Sequence, residues 1–399
     1  MILEGKVPSR RSLDRRWSLT QSLTTKPIHD TAAWVYAPHF IGNPYQALLT
    51  MALPGYDISA AGAANIGEGT QAVLRAPRHA ARVLHLHWLN GVLAGASDRA
   101  DAERRVAKFE AQLQRMRDNG VRIVWTMHNV LPHESVHADL ELAVRRSICA
   151  HAEMIHIMNP ASVTAAAGQF DVPIEKVVRI EHPGYSGFYP DWISRAAARA
   201  HFGFAAGEHV ALVLGAIKPY KGLLELAAEV DAISRRHPRR VSLLIAGGAG
   251  DDPGTADLLA LADLHPAIHV LPERVLAEDV GQLFAAADSA IVPYKASLNS
   301  GALVLALSMG KPVIARSSAG STHLLDGGAG RVYDAEEQLE SLLLDRDWLP
   351  EAAREARTMA HRLRAAHVSD AFARTARAFI DGGVASARAA AGANGGLDD

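Results

Sequence analysis

The chain has 399 residues, of which 49% are apolar and 21% charged, with a formal net charge of −2. That length supports two domains of ordinary size, each with its own core, and the balanced charge excludes the global field expected of a nucleic-acid binder. A single cysteine, Cys149, excludes an intrachain disulfide and a cysteine-rich metal site, and no apolar run is long enough to span a bilayer.

Residues 1–30 carry six Lys/Arg against three Asp/Glu and show little periodicity. They read as a mobile, mildly basic arm that could touch anionic lipid headgroups. Ser9-Arg-Arg-Ser12 is followed by no hydrophobic segment, so no twin-arginine or secretory signal is expected. Ala32–Tyr36 predicts a first strand, followed by Pro38–Tyr45 and a helix through Leu53. Val83–His87 predicts a buried strand ending at Trp88-Leu-Asn90, and Arg99–Asn119 a charged amphipathic helix. Val121–Thr126 is the next strand, ending at Met127-His-Asn129, and Cys149 falls in a helical pattern as a plain core residue. Met154–Met158 and Val177–Ile180 are two further short strands. The Gly- and Pro-rich segment His182–Pro190 reads as a linker.

Beyond it, the apolar run Val210–Leu214 turns through Gly215–Gly222 into a helical pattern. Val241–Ala246 stops at Gly247-Gly248. Ser289–Tyr294 leads through Ser297–Ala302 into a helix and then to Gly310–Ala315; past Asp345 the chain is helical. Short strands alternating with helices predict an α/β fold with parallel sheets, and polar and glycine residues gathered at strand ends are where such sheets bind ligands.

Two of these turns carry specific chemistry. Lys218 and Lys221 bracket a tight turn, so two ammonium groups can converge on a diphosphate. Ser300-Gly301 stands at a helix start, where free N–H groups favour an anion, and Gly301 lacks the β-carbon that would keep phosphate away from the backbone. A surface lysine pair or an ordinary helix start would explain either turn alone. Both together, in this order within one α/β unit, point to a nucleoside-diphosphate site.

Gly215–Gly222 and Ser297–Ala315 resemble the first and second diphosphate loops of GT-B glycosyltransferases, in the broad group that includes family 4 and the bacterial exopolysaccharide β-mannosyltransferases. The resemblance runs from about Ala33 to about Phe379. It implies two Rossmann-like, doubly wound parallel-sheet domains facing a central cleft. The first, over 31–185, would be the acceptor domain and the second, over 186–365, the donor domain. A helix over 366–383 would pack back on the first domain, and 384–399 would be a disordered tail.

For the donor, the resemblance implies Gly215, Lys218, Lys221, Gly247, Asn299, Ser300 and Gly301 around the nucleotide-sugar, with Arg274 and Val275 near the base. For the acceptor side it implies Asn43, Tyr45, His85, Trp88, Asn129, His182 and Tyr185. Family 4 enzymes usually carry Glu-x7-Glu across the second loop. Here those positions are Ser297 and Leu305, and the run Ser300–Ser308 instead resembles the β-mannosyltransferase loop, which implies inversion.

An inverting transfer needs one general base and positive charge or N–H dipoles at the leaving group. Lys218, Lys221 and the amides of Ser300 and Gly301 can serve the leaving group, so no metal and no other cofactor is expected. His128 and Glu134 rank equally as the base, with His87 behind them. A neutral imidazole suits the task unperturbed, whereas Glu134 would benefit from burial. Against these roles, His128 could simply bind the sugar and Glu134 could simply support a helix start.

The resemblance favours mannose and a GDP-sugar over a UDP-sugar, and a glycan, lipid-linked or small-molecule acceptor in exopolysaccharide synthesis. The expected location is cytoplasmic, with peripheral contact at the inner membrane face left open. A nucleotide-sugar 2-epimerase of the same fold and an inactive binding protein are the alternatives.

His133-Glu-Ser-Val-His137 matches the H-E-x-x-H zinc-protease pattern, in which two histidines on one helix face hold zinc and the glutamate activates water. Pro132 places His133 in the turn leading into any helix, and no third ligand stands at a familiar spacing, so the match is set aside. His85 and His87 share a strand face, and buried, hydrogen-bonded histidines are expected there in preference to a metal pair.

Overall fold

The computed structural model describes residues 31–132, 136–294 and 298–392. The chain divides into two compact units: one runs up to Pro183 and resumes at Ala365, and the other is Gly184–Arg364.

The first unit holds six parallel strands, β1 (Ala32–Ala37), β2 (Ile58–Gly62), β3 (Arg82–Leu86), β4 (Val121–Thr126), β5 (Met154–Ile157) and β6 (Val177–Arg179). Their order is β2-β1-β3-β4-β5-β6. Every residue of β1 and β3 is buried, as expected of strands covered on both faces. One face, with Trp34, Val83, Val124, Met154 and Val178, packs on Leu49, Phe372 and Phe379. The sheet grows in one direction through β2 and in the other from β3 onward. The crevice outside the carboxyl ends of β1 and β3 is therefore the topological switch point, where open sheets take ligands.

The second unit repeats the plan with β7 (His209–Leu214), β8 (Val241–Ala246), β9 (Ile268–Leu271), β10 (Ser289–Val292), β11 (Val313–Arg316) and β12 (Gly330–Tyr333). Their order, β12-β11-β10-β7-β8-β9, is that of dinucleotide-binding sheets and puts the switch point between β7 and β10. Successive residues of β7 enter opposite cores: Val210 and Leu212 join Leu303 and Leu307, while Ala211 and Val213 join Leu223 and Leu226. That alternation is the two-residue period of a strand buried on both sides.

β2, β9 and β12 had no counterpart among the predicted strands, and all three lie at sheet edges. Each pairs with a single neighbour; β2 (Ile-Ser-Ala-Ala-Gly) carries little β-branched or aromatic signal, so pairing with β1 makes it a strand, whereas β9 (Ile-His-Val-Leu) and β12 (Gly-Arg-Val-Tyr) carry strand-favouring residues in runs of only four. The predicted helix through Leu53 ends at Thr50 and gives way to a 3-10 turn at Leu53–Tyr56. The tail expected from residue 384 is corrected as well. Helix continues to Gly392 across a break at Gly383, because the segment is rich in alanine, the strongest helix former, and Ala387 is buried in the first unit's core. Residues 1–30 and 393–399 lie outside the described residues. Among those described, no helix is long and apolar enough to cross a membrane.

Candidate active site

In the second unit the chain leaves β7 through Gly215, whose φ of 132° is a glycine conformation. It forms a single 3-10 turn at Pro219–Lys221 and closes through left-handed Gly222 into the Leu223–Arg236 helix. This turn folds Lys221 inward. The residue is 8% exposed, and its Nζ lies 3.3 Å from the position a β-carbon on Gly215 would take and 5.1 Å from the Tyr294 ring centre. Burial first, then the neighbouring charge of Lys218, lowers the Lys221 pKa to about 8. Lys218 itself is exposed, with its ammonium 3.6 Å from the β-carbon position of Gly250. The two lysines thus flank the loop, one reaching toward the end of β10 and one toward the loop after β8.

Gly247 ends β8 with φ 153°, and a β-carbon there would collide with the Gly215 carbonyl. Arg274 is exposed, its Cα 3.9 Å from the β-carbon position of Gly248, while Val275 packs on the core. Asn299 and Ser300 follow the Lys295–Ser297 segment, which lies outside the described residues. Ser300 caps the Gly301–Ser308 helix, accepting from the Leu303 N–H at 3.2 Å. The first N–H groups of such a helix have no partner within it, so this start can hold an anion. Of the two positions that usually carry glutamate, Ser297 is not described and Leu305 packs against the core.

In the first unit, hydrogen-bond partners fix the histidine tautomers. Trp34 Nε1–H donates to His85 Nδ1 at 3.2 Å, so the proton of a neutral His85 sits on Nε2 and points to Thr126 Oγ1, 2.6 Å away. His156 Nε2 donates to the Ile180 carbonyl at 2.9 Å, which leaves His156 Nδ1 to accept from the Thr126 hydroxyl at 2.9 Å. The chain Trp34–His85–Thr126–His156–Ile180 is thereby satisfied at every link.

His85 is fully buried and uses both ring nitrogens inside the protein. The expectation that it touches an acceptor is corrected: it belongs to the core's polar network. Thr126 and His156 were not singled out in the sequence. Their signal is a cross-strand register pair on β4 and β5, visible only once the strands are aligned.

Above this network, His87 Nδ1 and His128 Nε2 share a hydrogen bond of 3.0 Å. His128 stacks on Trp88 with ring centres 4.1 Å apart, and the Tyr45 ring lies 5.2 Å from His128 and 4.7 Å from His182. Tyr45, His87, Trp88, His128 and His182 therefore form one cluster at the carboxyl end of the sheet. His182 Nδ1 donates to the Pro183 carbonyl at 2.8 Å.

Burial drives the pKa values of His85, His87 and His128 well below the usual histidine value, and takes His156 and His182 to about 4. All five are neutral at physiological pH. Asn43 spends its side-chain oxygen on the Tyr45 N–H at 3.1 Å, and Asn129 is half-buried just after His128.

Tyr185 belongs to the second unit, its N–H bonded to Ser308 Oγ at 2.9 Å and its ring buried. Glu134 and His133 lie outside the described residues, and His137 directly precedes the Ala138–His151 helix. Among the described residues, no group of three His, Cys, Asp or Glu side chains is placed to hold a metal ion.

Residues 208–344, from the residue before β7 to the end of the helix after β12, match the family model described as glycosyl transferases group 1. Two similar curated proteins share that chemistry. The GDP-mannose:glycolipid 4-beta-D-mannosyltransferase of Xanthomonas campestris pv. campestris is 28% identical over 271 residues, covering 66% of this chain and 69% of the relative. The D-inositol 3-phosphate glycosyltransferase of Nocardia farcinica is 32% identical over 168 residues, 39% of this chain and 37% of the relative. This protein is a glycosyltransferase.

Solved structures agree on the architecture of the glycosyltransferase. Anabaena HepE in complex with UDP matches with a TM-score of 0.64 at 17% identity, over 87% of this chain and 99% of that one. Sucrose-phosphate synthase from Thermosynechococcus elongatus matches with a TM-score of 0.62 at 15% identity, over 85% and 96%. The fold is the two-domain GT-B α/β fold.

Proposed function

We propose that this glycosyltransferase moves a hexosyl group, mannose in preference, from a GDP-sugar to a hydroxyl of a glycan, lipid-linked or small-molecule acceptor, with inversion and without a metal. The observation that carries the reading is the pairing of buried Lys221, set against Gly215, with the Ser300-capped helix start, on loops that follow the adjacent strands β7 and β10. A diphosphate placed there meets an ammonium and free N–H groups, which stabilise the charge that develops as it leaves. The similarity to the Xanthomonas GDP-mannose:glycolipid 4-beta-D-mannosyltransferase supports GDP-mannose as the donor.

In the transfer, the acceptor oxygen forms a bond to the anomeric carbon as the bond from that carbon to the phosphate oxygen breaks. The bonding pair departs with GDP and the acceptor proton goes to the base. His128, oriented by the hydrogen bond to His87 and the stack on Trp88, and Glu134 are the two candidates to take that proton; the basicity that burial removes from His128 counts against it. The donor side is tested by thermal shift with GDP, UDP, ADP and TDP and their sugars, with and without EDTA. Stabilisation by GDP alone, indifferent to EDTA, is expected; stabilisation by UDP in place of GDP would overturn the donor assignment. His128→Ala and Glu134→Gln should retain the GDP-induced shift and slow transfer, and normal turnover by both would remove both as the base. The anomeric configuration of the product, read by NMR, decides inversion.

A further inference from the structure

The turn that carries His128 is irregular backbone, so its shape depends on where its polar groups find partners. β4 ends at Thr126, and the Met127 N–H donates to the His156 carbonyl at 3.0 Å, which extends the pairing of β4 with β5 by one step. His128 and Asn129 follow. Two residues past His128, the Val130 carbonyl accepts from Arg145 Nε at 3.2 Å. The turn is thus pinned at both ends, by a strand on one side and by a side chain on the other.

Arg145 comes from the Ala138–His151 helix, whose Val144 and Ile148 are fully buried. Its side chain is 1% exposed, and Nη1 donates to Glu141 Oε2, one turn earlier on the same helix and 7% exposed. Acid before base at this spacing is the favoured order. Burial still decides the balance: it raises the Glu141 pKa and lowers that of Arg145, against the pull of each on the other. A buried ion pair of this kind is weak support for folding, and well-packed apolar residues in its place are often neutral or stabilising. What an apolar pair could not supply is the bond to Val130. A guanidinium offers its N–H groups in a fixed fork, so it can engage a carboxylate and a carbonyl in two set directions at once, whereas an ammonium is a point charge.

We infer that Arg145, braced by Glu141, is a positioning residue for the transfer: it fixes the turn after β4 and with it the place of the His128 ring against Trp88. This deepens the proposed function and rests on its assignment of His128 to the reaction.

The test compares the full chain with two variants. Glu141→Leu with Arg145→Met replaces the pair by apolar groups, and Arg145→Lys keeps a charge beside Glu141 but loses the fork. Three quantities are read: the urea midpoint, the His128 ring signals in NMR of histidine-labelled protein without substrate, and GDP release from GDP-mannose with water as the acceptor. The His128 signals are assigned by their loss from His128→Ala. In the double variant the urea midpoint should match or exceed the parent's. The His128 signals should leave the upfield position that stacking on Trp88 gives them, while those of His85 and His156 stay. GDP release should fall about tenfold or more at unchanged KM for GDP-mannose, since a misplacement of about 1 Å can cost 100-fold. Arg145→Lys should show the same His128 shift at close to parental stability.

His128 signals that stay in place in both variants would overturn the inference, whatever happens to turnover. So would a lower urea midpoint with parental turnover, which would make the pair structural only. Shifted signals at parental turnover would overturn the role in transfer, since the place of His128 would then not matter to it. A parent that releases no GDP fails the donor reading; the histidine signals then still decide whether Arg145 sets the turn.

Discussion

Replacing Lys221 with methionine should move folding stability and donor affinity in opposite directions. In the free protein, Lys221 is 8% exposed and its pKa falls from 10.5 to about 8 through burial and the charge of Lys218. That displacement corresponds to about 3 kcal/mol of penalty on the charged form. Because the folded value is the lower one, the penalty is complete below pH 8 and fades as pH rises toward the ordinary lysine value. Lys221→Met keeps most of the stem, removes the charge, and should raise the melting temperature of the free protein at pH 7.

Donor affinity should fall, since a hydrogen bond to a charged group contributes about 1.5–3 kcal/mol, or roughly 10- to 150-fold in Kd. The unaltered protein should also lose GDP affinity between pH 8 and 9 as the free ammonium deprotonates, and Lys221→Met should lack that limb. Calorimetric titration with GDP at pH 7, 8 and 9, alongside melting curves, reads all three effects. A variant that melts lower than the parent yet binds GDP equally well would refute the reasoning, because Lys221 would then be a structural side chain.

Three other outcomes are expected. His85, His87, His128, His156 and His182 are neutral through burial, so they take up no proton where unfolded histidines titrate, near pH 6.5. Stability should be complete above that pH and fall by several kcal/mol by about pH 5.5; a urea midpoint unchanged between pH 7 and 5.5 would show that the cluster titrates freely. Thr126→Val leaves His85 Nε2–H and His156 Nδ1 without their shared partner and should cost about 1–3 kcal/mol in chemical denaturation, while an unchanged midpoint would mean the chain does not bear on stability. Gly247→Ala sets a β-carbon against the Gly215 carbonyl at a φ that side chains rarely adopt; it should abolish GDP-induced stabilisation, and parental GDP affinity would show that the loop yields without cost.

Much of the fold was legible because its central strands are apolar runs bounded by turn residues. β4 and β8 were read with their observed limits, β1, β3, β5, β6, β7 and β10 to within one or two residues, and β11 with a start three residues early, since a strand buried on both faces announces itself by composition. The edge strands β2, β9 and β12 were not legible: β2 takes its conformation from its neighbour and not from its own residues, and the strand-favouring residues of β9 and β12 fall in runs of only four. The loops proposed to hold the diphosphate could be read as glycine, lysine and a serine cap at strand ends. That Lys221 turns inward while Lys218 stays outside could not, because burial depends on Tyr294 and on how the loop folds against Gly215.

The histidines divide in the same way. Their positions near strand ends marked the region. Only the register of β3, β4 and β5, with the Phe372 helix packed beneath, separates His85, locked into a buried relay, from His87 and His128, paired at its edge. Sequence determines which residues favour a strand, a turn or a cap, because those preferences are local. Which polar side chains become buried partners and which remain available to a ligand is decided by contacts between segments far apart in the chain.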